Sequence, residues 1–202
     1  MEVKRTKHTE RSEATRAALV AAARELFARH GYARVGTEEV VRAAGVTRGA
    51  LYHQFRDKED LFLAVFEQVE REVTERIAER VIAEGAQDPV GALLVGAEMF
   101  LDVCAQPEVQ RIMLLDAPAV LGWERWREVG QRYGLGLVQA ALQAAIDAGA
   151  LEPQPARPLA HVLLGALDEA AMLVARADDP QAARAEMRDT LARLIEALRR
   201  RE

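Results

Sequence analysis

Cysteine is almost absent: Cys104 stands alone, so one chain can form neither a disulfide framework nor a Cys-rich zinc site. Histidine is sparse as well, and His8, His30, His53 and His161 are scattered along the chain without metal-ligand spacing. No Glu-x-x-His or His-Glu-x-x-His pair occurs, and there is no Gly-x-x-x-x-Gly-Lys or Gly-x-Ser-x-Gly. Gly134-x-Gly136 lies inside a helical pattern with no strand before it, which makes it a packing or bending feature. These absences give an expectation of no catalysis, no metal and no cofactor. No apolar run approaches the roughly 20 residues needed to span a bilayer, and the charged N-terminus is no secretory signal. The expected compartment is therefore a reducing cytoplasm, with no membrane partner. Strand-like alternation persists nowhere, and the only proline-rich stretch is the linker Pro153, Pro155 and Pro158.

What is present is material for helices. Half the residues are hydrophobic, while aromatics make up only 5%; Ala, Leu, Val, Glu and Arg dominate. The predicted fold is all-α with about nine helices. Leu19, Ala23, Leu26 and Phe27 mark a first helix over Ser12–His30, closed by Gly31. Leu61, Val65, Val69, Val73, Ile77 and Val81 recur at steps of four along a long helix from Lys58 to about Gly85, capped by Asp57. Further helices are expected from Val90 to about Gln106, from Trp123 to Gly149, over Leu159–Ala177 and over Pro180–Arg200, with a short segment ending near Pro118. The net charge of −5 is unevenly spread. Residues 1–58 carry 12 Lys/Arg against 7 Asp/Glu and residues 59–202 carry 15 against 25, a basic head on an acidic body.

The most informative stretch runs from Gly36 to Leu61. Thr37 is the expected N-cap of a helix with Glu38 and Glu39 in its first turn. Gly45 takes the left-handed stop. Thr47 then caps a second helix, Arg48 to His53, which turns Arg48, Gly49, Tyr52 and His53 outward and Leu51 inward. Helix, tight turn and helix in this arrangement is a helix-turn-helix, whose second helix lies in a DNA major groove.

The residues themselves narrow this further. Thr-x-x-Val-x-x-Ala-Ala-Gly-Val-Thr-x-Gly-x-Leu-Tyr-x-x-Phe-x-x-Lys-Glu-Asp-Leu, from Thr37 to Leu61, resembles the DNA-binding signature of TetR-family transcriptional regulators. The resemblance covers about the first third of the chain. It implies a three-helix helix-turn-helix head joined to a helical ligand-binding and dimerisation body, divided as a flexible basic arm (1–11), a DNA-binding domain (12–60) and an effector-binding and dimerisation domain (61–202). It implies a homodimeric, sequence-specific repressor on a palindromic operator, with Tyr52 and Lys58 holding the DNA backbone. Beside it, residue chemistry makes Arg48 the base reader, because arginine grips guanine O6 and N7 together. Thr37, Thr47 and His53 serve phosphate contact and anchoring, and Gly49 permits close approach. Lys4, Arg5 and Lys7 could extend the contact as an arm.

The body holds two further expectations. Phe62, Phe66, Met99, Phe100, Met113, Asp116, Trp123, Trp126, Tyr133 and His161 are the expected lining of an effector pocket, with an apolar or cationic small molecule favoured. Leu163, Ala166, Leu167, Ala170, Met187, Leu191, Leu194 and Leu198, on the last two helices, are the expected dimer interface. Rival readings are a regulator of the same fold with a protein partner, no effector or an activating role, and, more remotely, a helical enzyme or metal-binding bundle.

Overall fold

The structure is a computed structural model that describes residues 7–84 and 88–200, with side chains from Thr9 onward. Lys4, Arg5, Gly85 and the side chain of Lys7 lie outside what is described. The described chain is helical throughout: α1 (Lys7–His30), α2 (Thr37–Ala43), α3 (Arg48–Gln54), α4 (Lys58–Ala83), α5 (Pro89–Cys104), α6 (Pro107–Val109), a π-helical segment (Gln110–Asp116), α7 (Ala117–Leu121), α8 (Trp123–Asp147), α9 (Ala156–Arg176) and α10 (Pro180–Glu196). Because α6, the π segment and α7 run on without a break in helical backbone, the described residues form nine helical rods.

Local chemistry sets the ends. Thr47 accepts the Ala50 N–H at 3.2 Å, Asp57 that of Asp60 at 2.7 Å and Asp88 that of Val90 at 3.2 Å, each a side-chain N-cap. Gly31, Gly45, Gly122 and Gly149 all take positive φ, and Gly45, at +65°, makes the turn between α2 and α3. One expected cap moves: Gly36, not Thr37, is the N-cap of α2, and Thr37 is its first helical residue. The Thr37 hydroxyl is used instead on Tyr52 across the turn.

Helices α1–α3 form the head. Val40, Leu51 and Phe55 bury against Leu19, Ala23 and Phe27 of α1. α4 leaves the head and runs 26 residues, roughly 40 Å, into the body, with Leu61, Val65, Val69, Val73 and Ile77 buried along it. There it packs on α5 and α8, while α9 packs on α8 and α10. α9 is the one described helix long and apolar enough by composition to cross a membrane, although charged residues interrupt its apolar runs. It carries Asp168 among its apolar residues and supplies nine buried residues to the core, the behaviour of an interior helix.

The segment after Pro107 does not stop near Pro118 but continues to Leu121. In the π segment each N–H reaches five residues back, as Ala117 N–H does to Ile112 O. The next donor belongs to Pro118, which has none, so the Met113 carbonyl would go unserved. The indole N–H of Trp126 supplies that bond at 2.9 Å.

Candidate nucleic-acid interface and internal cavity

Helix α3 presents Arg48, Gly49, Tyr52 and His53 to solvent, and Leu51 alone points fully inward. The Arg48 guanidinium sits 3.6 Å from Glu38 and 5.6 Å above the Tyr52 ring, so the outward face of α3 is braced from α2. Hydrogen bonds from Thr37 and Arg48 hold the Tyr52 phenol below its ordinary pKa. Behind the face, α3 is stitched to α1: Gln54 donates to Ser12 Oγ at 2.7 Å, and Arg16 donates to Gln54 O at 3.2 Å while lying 4.3 Å over the Phe55 ring.

Lys58 does not project freely. Its ammonium donates to the carbonyls of Tyr32 at 2.9 Å and Val35 at 3.0 Å and lies 3.9 Å from the Tyr32 ring centre. Burial lowers its pKa. Lys58 therefore pins the first turn of α4 to the short 3₁₀ turn (Tyr32–Arg34) after α1.

That turn is also gripped from the body. Tyr32 N–H donates to Asp116 at 2.8 Å. Phe27, Tyr32 and Phe62 form a triangle of rings with centroids 5.1–5.6 Å apart. Arg24 of α1 donates to Glu72 on α4 at 2.8 Å and to Glu108 on α6 at 2.5 Å. The α6–α7 rod thus holds the head at its start, through Glu108, and at the end of its π segment, through Asp116.

Beneath the rod lies a cavity of about 90 Å³. α4 contributes Glu70, Val73 and Ile77 to its wall, α5 contributes Leu93, Gly96 and Phe100, the π segment Met113 and Leu114, α8 Trp126, Gly130 and Gly134, and α9 Leu163, Leu167 and Asp168. Of the expected pocket residues, Phe100, Met113 and Trp126 are brought together here. The others stand elsewhere. Phe62 belongs to the ring triangle, Phe66 is fully buried off the cavity wall, and Asp116 serves Tyr32. Met99, Tyr133 and His161 are half-buried outside the lining, and Trp123 is 53% exposed. Aromatic character was the misleading guide, since large rings here mostly fill joints between helices. Asp102, another polar residue of the apolar runs, is paired with Arg184 on α10.

The polar lining residues Glu70, Thr74 and Asp168 went unforeseen, as did Arg127, which pairs with Asp168. Glu70 is nine-tenths buried, faces the cavity and has no hydrogen-bond or ion-pair partner. Burial, assisted by the charge of Asp168, raises its pKa to about 8. Burial raises Asp168 to about 6 even though Arg127 stands 3.4 Å away. The available signal was periodic: Glu70 follows Phe62 and Phe66 at a step of four, an acid in an apolar row.

The expected interface divides. Leu163, Leu167, Ala170 and Leu191 are buried within the chain, Ala166, Met187 and Leu198 are half-covered, and Leu194 is exposed. The apolar residues left open on α9 are Val162, at 67% exposure, and Leu173, flanking Ala166 at helical spacing. A helix between two neighbours uses one stripe for its own core, and Val162, Ala166 and Leu173 make the stripe that α9 leaves outward.

Comparison with known proteins places these features in company. Residues 19–65 match the family model described as bacterial regulatory proteins, tetR family, and residues 90–198 match that of a tetracyclin repressor-like C-terminal domain. A TetR-family transcriptional regulator from Pectobacterium atrosepticum is similar over 98% of this chain and 99% of its own, with 34% identity and a TM-score of 0.84. RolR, solved with the ligand resorcinol, shares the fold at 22% identity and a TM-score of 0.71, over 96% of this chain and 98% of its own. An HTH-type transcriptional repressor from Mycobacterium tuberculosis is 33% identical over 54% of this chain and 57% of its own length. The regulator CymR from Pseudomonas putida is 38% identical over 50% and 51%. The chain thus spans about half the length of these curated relatives.

Proposed function

The chain belongs to the TetR family, DNA-binding transcriptional regulators of bacteria, and from that premise we propose that it is a homodimeric repressor whose palindromic operator is released when a small molecule fills the cavity beneath the α6–α7 rod. The observation that carries this reading is the continuity of that rod. Met113 and Leu114 wall the cavity, and two residues further on Asp116 holds the head through Tyr32. A ligand that pushes the π segment outward moves Asp116, and with it the turn that Lys58 ties to α4. A π segment suits this role, because its wide turn can tighten to ordinary helix at low cost. The body is not packed solid, which favours a small-molecule effector over the reading without one. The resorcinol held by RolR is consistent in scale with a one-ring ligand.

On DNA, two α3 helices enter successive major grooves about 34 Å apart. Arg48 reads bases, Tyr52, His53 and Thr47 meet phosphates, and Gly49 allows the backbone close. Thr37 acts through Tyr52, and Lys58 keeps the α4 N-terminus, a phosphate-binding end, in place. Dimerisation uses the outward stripe of α9 around Val162, Ala166 and Leu173, with Met187 and Leu194 of α10 and Leu198 in the turn after it. The test is selection of bound duplexes from a random pool, followed by a screen for compounds that release them. A two-fold symmetric site with release by a cavity ligand supports the reading; release by no compound that binds the cavity overturns the effector mechanism.

A further inference from the structure

The cavity is more specific in its chemistry than in its shape. Nearly all of its wall is aliphatic or aromatic, and its polar groups gather where Glu70 meets Asp168. Glu70 is nine-tenths buried, opens onto the cavity and is bonded to nothing. Opposite it, Gly130 of α8 has no side chain, and a Cβ there would stand 3.8 Å from the Glu70 carboxyl. The groups facing Glu70 are Asp168 from α9, Cys104 from α5, and Arg127 from α8 through its pair with Asp168. With both carboxyls ionised this end carries one negative charge in excess. One entering positive charge brings it to neutrality, and an unpaired buried carboxylate has much to gain from that.

We infer that the effector is a small monocation, an amine bearing an apolar body of about one ring, with its ammonium paired to Glu70 at the Asp168 end of the cavity. This rests on the effector role proposed above. At about 90 Å³ the space is below the ~150 Å³ that accepts a benzene ring, so the ligand must widen it slightly. The yielding wall is the π segment, where Met113 and Leu114 face the apolar body. Charge fixes the orientation, and the apolar end does the pushing.

Binding a cation here requires Glu70 to ionise. In the free protein Glu70 holds its proton up to pH about 8, so each amine bound below that pH expels one proton. The test compares benzylamine with benzyl alcohol, which differ in charge and little in shape. Calorimetry from pH 6 to 9 on the full chain follows both, with operator release measured in parallel. The amine is expected to bind at least tenfold tighter at pH 8, with affinity rising about tenfold per pH unit below it and one proton released per site. Glu70→Gln is expected to lose the slope and the preference together. Equal or tighter alcohol binding with operator release overturns the charge assignment and leaves the effector reading standing. An amine affinity flat in pH, or a preference retained in Glu70→Gln, likewise overturns it. Binding of neither probe to protein that still holds its operator overturns the charge assignment, and if a wider compound screen gives no release either, the effector reading falls too.

Discussion

Asp116 Oδ2 accepts the backbone N–H of Tyr32 at 2.8 Å, a bond between residues 84 apart in sequence. It joins the end of the π segment to the only turn between α1 and α2, and the same Tyr32 accepts Lys58 on its carbonyl side. One residue is therefore held by the body through its N–H and by α4 through its C=O.

Replacing Asp116 with Ala should separate sensing from release. The Tyr32 N–H loses its acceptor, at a cost of about 1–3 kcal/mol. Ligand affinity, set deeper in the cavity, should change little. Operator titrations with and without ligand should show the coupling reduced; coupling equal to that of the parent protein counts against the rod as the transmitting element.

Arg48→Ala and Lys58→Ala should differ in kind. Loss of Arg48 should relax discrimination at one operator position by about 1–3 kcal/mol with no effect on melting, because its pair with Glu38 is exposed. Loss of Lys58 removes two charged hydrogen bonds to carbonyls. It should weaken all DNA alike and also lower head stability by about 1–2 kcal/mol. Equal loss on specific and random DNA for Arg48→Ala sinks the base-reading role.

The stability that Glu70 and Asp168 contribute should fall as pH rises. The folded pKa of Glu70 is raised to about 8 and that of Asp168 to about 6, so the folded state holds protons that the unfolded chain has released. Their share of stability is fullest below the unfolded carboxylate range, declines from about pH 4 upward, and levels off once Glu70 has ionised near 8, whereas Asp60, Glu72 and Asp88, whose pKa values are lowered by their hydrogen bonds, lose their share at the acid end. Glu70→Gln should flatten the upper part of that decline, and at pH 8 should raise stability by an amount on the order of a few kcal/mol. Denaturant midpoints across pH measure it directly.

Charge placed on the outward stripe should split the dimer and spare the fold. Val162→Glu or Leu173→Glu alters a surface residue of one chain, so circular dichroism should be unchanged while sedimentation reports monomers and operator binding drops. Leu167→Ala, one stripe inward, should instead cost about 2–5 kcal/mol of folding stability. A Val162→Glu protein that sediments as the parent does excludes this face.

The head was legible because its signals are local. Thr47, Gly45 and Asp57 act within four residues of themselves, and their roles follow from side-chain chemistry and backbone sterics alone. The α4 stripe was legible for the same reason, being one helix with one buried face. What could not be read depended on a third dimension. Phe62 and Met113 look equally suited to a pocket, yet α1 covers the first while the second faces the cavity. Lys58 at a helix N-terminus reads as a free phosphate ligand until the Tyr32 and Val35 carbonyls are found within reach. The apolar breadth of α9 announces two neighbours without saying which stripe meets which. Pro118 signals a helix end by every local rule, and only an indole from another helix overrides it.

That indole gives the molecule an internal optical gauge. Of its two tryptophans, Trp123 is exposed and open to a soluble quencher, whereas Trp126 is 4% exposed, walls the cavity and is bonded to the segment that a ligand displaces. Their ring centres are 4.9 Å apart, so Trp123→Phe leaves a single emitter undisturbed by its neighbour. The colour and lifetime of its fluorescence then read occupancy of the cavity from within, with no dye attached and no DNA present.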